Sequence, residues 1–92
     1  MPTKEEILNL LSKSRTLELM YALKEPKKWD ELREIVKDPK TLSKRLNELY
    51  SLNLVTATVV FDKPKGSKAH VLTDFGKFVL QKLEEIEKYS KQ

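Results

Sequence analysis

Lys40, Thr41, Ser43, Lys44 and Asn47 are the residues whose types and spacing could do chemistry together. At about 100° per residue in a helix, Lys40, Lys44, Asn47 and Ser51 fall on one side, with Thr41, Ser43 and Glu48 beside them. Cations, amides and hydroxyls held on one helix face are the groups that contact phosphates and base edges in a DNA major groove. The opposite side carries Leu42, Leu46 and Leu49, an apolar stripe able to anchor the rod. For an isolated helix, a solvated face without function is the commoner reading of such polar groups. The rest of the chain weighs against it.

Catalytic chemistry has little to work with. There is one histidine and no cysteine, so neither a thiolate metal site nor a disulfide framework is available. His70 sits between Ala69 and Val71 with no HxxxH or carboxylate spacing near it, which reads as a structural or surface histidine. The carboxylates stand beside lysines at helical spacing, Lys44 with Glu48 for example, which reads as solvation and i,i+4 pairing. Gly66 and Gly76 are the only glycines, too few for a phosphate loop. No convergent set of titratable groups emerges, so neither an enzyme nor a metal or cofactor is expected.

The elements that must position the polar face follow from local signals. Asp38 is a capping residue and Pro39 suits the first helical position, starting a helix over about 39–52. Asn53 can close it in the left-handed region, after which Leu54 and Val55 begin a strand pattern. Upstream, Thr3 and Glu6 form a capping box ahead of a short helix over about 4–12. Ser14 is placed to cap a second helix, whose Leu17, Leu19, Met20, Tyr21, Ala22 and Leu23 are apolar almost all round and therefore expected at the centre. Glu25 to Lys28 make a turn, Trp29 a core anchor, and Asp30 a cap for a short helix carrying Leu32, Ile35 and Val36. Two short helices joined by Lys37-Asp38, the second with a polar outer face, form a helix-turn-helix.

Downstream, Val55, Ala57, Val59 and Phe61 alternate with Thr56, Thr58 and Val60, the period of a strand. Residues 62–68 form a turn-rich loop with Lys63, Lys65 and Lys68, and Ala69 to Leu72 can return as the paired strand. Thr73 or Asp74 caps a last helix of about 17 residues, roughly 25 Å long. Phe75, Phe78, Val79, Leu83, Ile86 and Tyr89 line one wide side of it, and Gly76 in its first turn suits close packing. This helix outruns a small core. Phe78, Leu83, Ile86 and Tyr89 are therefore expected to meet a second copy, the alternative being a fold back onto the first helix.

Residues 1–92 make one domain of α+β class, mostly helical, whose modest core would gain from dimerisation. No apolar run reaches the roughly 20 residues that span a bilayer, and the first residues do not read as a signal peptide. A cytoplasmic, nucleoid-associated protein is expected. Charge is unevenly placed: residues 40–70 hold six basic against two acidic side chains, the whole of the net +4, while the flanking stretches are balanced. That is the footprint expected for a polyanion partner. Lys and Glu are abundant and Gln scarce, a bias common in hyperthermophile proteins.

The order of helix, helix, helix, polar-faced helix, hairpin and long helix resembles the winged helix-turn-helix transcription regulators, in particular the HxlR, PadR, ArsR and MarR groups. The resemblance spans about residues 15–80. It rests on Trp29-Asp30-Glu31-Leu32, on Pro39 through Leu49, on Leu54-Val55, and on Val71-Leu72-Thr73-Asp74-Phe75-Gly76 at a strand-to-helix junction. It implies a two-stranded wing and a dimeric regulator of double-stranded DNA, and the composition suits an archaeal member. Its DNA-contacting set would be Lys40, Thr41, Ser43, Lys44, Arg45 and Asn47 in the groove, with Lys63, Lys65 and Lys68 on the wing. The long last helix would dimerise it. The chain departs from the pattern at Asn53, where glycine is frequent, and at Thr56 and Ala57, where an early wing arginine is frequent. A sequence-neutral architectural DNA binder and a protein-docking module are the competing functions.

Overall fold

A computed structural model describes residues 2–61 and 65–91 of the chain. Five helices and one hairpin follow in the order α1 (Lys4–Leu11), α2 (Thr16–Ala22), α3 (Trp29–Arg33), α4 (Pro39–Ser51), β1 (Val55–Phe61), β2 (Gly66–Leu72) and α5 (Asp74–Ser90). Helix α1 starts on the capping box: Thr3 Oγ1 accepts from the Glu6 amide, and Glu6 Oε1 accepts from the Thr3 amide. Ser14 does not cap α2. Its N-cap is Arg15, in the left-handed region at φ 69°, with the guanidinium reaching Glu18 at 3.0 Å. Asp30 does not cap α3 either. The N-cap is Lys28, whose amide donates to Glu31 at 3.0 Å, and Trp29 is the first helical residue. Ile35 and Val36 lie beyond the end of α3.

The core gathers one side of every helix and the root of the hairpin. Leu10, Leu19, Met20, Leu23, Leu32, Val36, Leu42, Leu46, Leu49, Leu54, Val55, Leu72 and Leu80 are buried together, and Trp29 packs against them as the expected anchor. Helix α2 is not buried all round: Leu17 and Tyr21 are exposed, and the Tyr21 ring carries Lys24 Nζ 4.9 Å from its centroid.

Strands β1 and β2 pair antiparallel from Val55 opposite Leu72 to Phe61 opposite Gly66. The return strand therefore begins three residues earlier than expected, which puts Ser67 and Lys68 in the ladder rather than in the loop. The far edge of β2 is occupied. Lys27 and His70 exchange backbone hydrogen bonds of 2.9 and 2.8 Å, and the Leu72 amide donates to the Leu23 carbonyl at 2.8 Å. Thr73, rather than Asp74, caps α5: its hydroxyl accepts from the Gly76 amide at 2.9 Å and donates to the Asn53 carbonyl at 2.7 Å. Gly76 presses on the backbone below it, because a Cβ there would lie 2.2 Å from the Leu54 carbonyl oxygen.

Candidate nucleic-acid interface

Helix α4 is set at both ends by its own sequence. Asp38 accepts from the Thr41 amide and from the Thr41 hydroxyl at 2.6 Å, with Pro39 at the first helical position. Those hydrogen bonds to Thr41 hold the Asp38 carboxyl below its ordinary pKa. At the other end Asn53 takes φ 61°, its amide donates to Tyr50 and the Leu54 amide to Leu49, each at 3.0 Å. That is a Schellman closure with an asparagine in the usual glycine place, stapled by the buried pair Leu49 and Leu54. Between the ends, Leu42, Leu46 and Leu49 are buried, while Lys40, Ser43, Lys44, Asn47 and Ser51 are exposed.

Two of the expected contact residues, and the neighbouring Glu48, behave otherwise. Thr41 is half-buried, with its hydroxyl spent on Asp38. Arg45 turns inward. Its side chain is 12% exposed, its Nε donates to the Ser14 carbonyl at 3.0 Å, and its Nη1 meets Glu48 Oε1 at 2.8 Å. Glu48 pairs with Lys13 and Arg45, not with Lys44 as i,i+4 spacing suggests. Burial by itself would raise the Glu48 carboxyl, but the hydrogen bonds and charges of Lys13 and Arg45 outweigh it and hold the group below its ordinary value. The trio ties α4 to the turn between α1 and α2. Sequence reasoning missed it because Glu48 and Lys13 lie 35 residues apart.

The hairpin is tied to α4 by Tyr50 and His70. The hydroxyl and Nδ1 share a hydrogen bond, and the rings meet edge to face with centroids 5.6 Å apart. Burial, with the charge of Lys68 nearby, pushes His70 below its ordinary pKa, and burial pushes Tyr50 up. Neutral imidazole and neutral phenol are thus the resting partners, and the single histidine is structural. Of the wing lysines, Lys65 and Lys68 are exposed, and Lys63 lies outside the described residues.

On α5, Phe78, Ile86 and Tyr89 are exposed at 54%, 65% and 73%. At 100° per residue they fall within one face, on which Lys82 Nζ stands 5.3 Å from the Phe78 centroid. Leu83 departs from that group: it is half-buried and packs against the chain's own core. From Glu84 to Ser90 every residue is exposed.

The chain has a winged-helix fold. Comparison with solved structures finds the reduced form of the transcriptional regulator YodB from B. subtilis, 25% identical, with a TM-score of 0.80 over 100% of this chain and 92% of that one. A MarR-family chain from Porphyromonas gingivalis W83 is 18% identical, with a TM-score of 0.71 over 100% and 96%. The redox regulator HypR in its oxidized form is 22% identical, with a TM-score of 0.69 over 95% and 92%. No protein-family model matches the chain, and no curated protein does. Although two of these structures are described by redox state, the present 92 residues contain no cysteine. Among the described residues no helix is long and apolar enough to cross a membrane.

Proposed function

We propose that this protein is a sequence-specific binder of double-stranded DNA that acts as a dimeric transcriptional regulator and not as an enzyme. The observation that carries the reading is the exposed row Lys40, Ser43, Lys44 and Asn47 on a helix whose other side is locked by three buried leucines. Lys40 and Lys44 contact phosphate or guanine, and Asn47 reads adenine bidentately. Ser43 serves the backbone, and Lys65 and Lys68 hold the flanking phosphates together with Lys63. Arg45 acts as a positioning residue, since its side chain is largely buried with Nε and Nη1 bonded within the chain. Likeness to the regulator YodB across the whole chain supports the same reading.

The dimer is supported by α5. A helical end exposed on every side gains little from its own chain, and isolated helical turns are marginal in water. Phe78, Ile86 and Tyr89 offer a face that a second copy can cover. A two-fold dimer then prefers a palindromic site with half-site centres about 10 bp apart, or a multiple of that.

The test joins selection from a random duplex library to two variants. Selection enriches a palindromic motif, and Lys44→Ala and Asn47→Ala remain folded while losing about 1–3 kcal/mol of preference for it. An unenriched pool would favour the sequence-neutral reading. Alanine variants equal to the parent would remove α4 as the reading element.

A further inference from the structure

Beyond Val55 the apolar row of the wing runs out into solvent. Directly opposed residues of an antiparallel pair share a face, so Ala57, Val59 and Phe61 stand with His70, Lys68 and Gly66. Val55 and Leu72 close the root of this face and are buried. Further out, Ala57, Val59 and Lys68 are exposed, and Phe61 is 91% exposed, the most of the large apolar side chains described. The other face, with Thr58, Val60 and Ser67, is half-buried instead. The row thus faces the core at its root, and toward the tip it outruns the core and is left in solvent.

Two further features shape the exposed row. Gly66 stands across from Phe61, and a Cβ at Gly66 would come 2.7 Å from Val59 Cγ1 and 3.7 Å from Phe61 Cδ1. A glycine there keeps one flank of the ring uncovered. The row is also bordered by an excess of cations: Lys68 lies directly across from Val59 and Lys65 precedes Gly66, against the one carboxylate, Asp62, that follows Phe61 in the sequence. An apolar ridge edged by cations complements a narrow groove walled by phosphates, and apolar side chains that enter the minor groove wedge between base steps.

We infer that Phe61 is a minor-groove wedge, its ring backed by Val59 and entering beside the α4 site while Lys65 and Lys68 hold the phosphates on either side. This rests on the proposed DNA binding and adds to it a second source of selectivity. Opening a step is easiest at flexible pyrimidine–purine sequences, so the flank is read through deformability and not through hydrogen bonds. It also bends the duplex toward the major groove.

The test uses the whole chain and a selected duplex carrying 2-aminopurine in the flanks, with end-labels to report bending. The parent raises the 2-aminopurine emission at one flanking step and shortens the end-to-end distance. Phe61→Leu keeps both signals, because leucine also serves as a wedge. Phe61→Ala loses both and binds about tenfold more weakly, with the salt dependence unchanged because no charge is removed. Phe61→Ala that binds and bends like the parent would overturn the wedge and leave the DNA reading standing. A change in protein mass by light scattering in Phe61→Ala without DNA would overturn it in favour of a protein contact. A parent that binds no duplex would take down both.

Discussion

Gly76 has no room for a methyl group. The 2.2 Å approach of an added Cβ to the Leu54 carbonyl is backbone contact, which no rotamer change relieves. Gly76→Ala must therefore push α5 away from the turn that closes α4, and should cost about 1–3 kcal/mol or more in urea unfolding. An unchanged midpoint would mean that α5 does not sit on Leu54 as described. Asn53 makes the complementary point one turn away. Its φ of 61° is tolerated because asparagine bonds locally where most side chains clash. Both positions carry a visible signature, an asparagine after a periodic run and a glycine in the first turn of a helix. Arg15 does not: nothing in the local pattern distinguishes it from Ser14 as the cap, although it is the residue that takes the positive φ.

Helix α4 is where local signals and long-range packing divide the work. Asp38-Pro39, the three leucines and Asn53 place its ends and its buried face from sequence alone. Which of its polar residues remain free is decided by chain segments far away. Arg45 and Glu48 look like surface charge in sequence, yet meet Ser14 and Lys13 in space. Pairing of Lys27 with His70 was equally hidden, because a two-residue bridge has no period to detect. The exposed apolar row of the wing is a third case, since alternation tells which residues share a face but not which face is covered.

The tie between α4 and the wing makes a pH prediction. The unfolded chain protonates His70 at its ordinary value of 6.5, whereas the folded chain resists because the ring is buried near Lys68. Protons then bind the unfolded state first as pH falls. Stability is full above about pH 6.5 and declines below it until the depressed folded value is passed. Glu48 is also depressed and adds a further loss at more acid pH, present above the ordinary glutamate range and removed as pH falls through its folded value. His70→Phe should remove the first decline in urea melts taken at a series of pH values and keep the second. A parent whose stability does not change between neutral pH and the glutamate range would contradict the buried-histidine account.

At the scale of the whole molecule, the extents of 48 × 27 × 25 Å describe a body with one long axis, and the distal half of α5 is exposed throughout. Ile86→Glu places a charge in the face assigned to a second copy. It should leave the helical signal intact and halve the mass measured by light scattering, whereas an unchanged mass would locate the interface elsewhere. The charge distribution bears on the other partner. All of the net +4 falls between residues 40 and 70, which hold α4 and the wing. On the proposed reading, six or more phosphate contacts per dimer would release that many counterions. The most direct measurement is the dissociation constant for a selected duplex as a function of salt. The account predicts a loss of affinity of about a thousandfold or more between roughly 50 and 200 mM, and a flat response would contradict it.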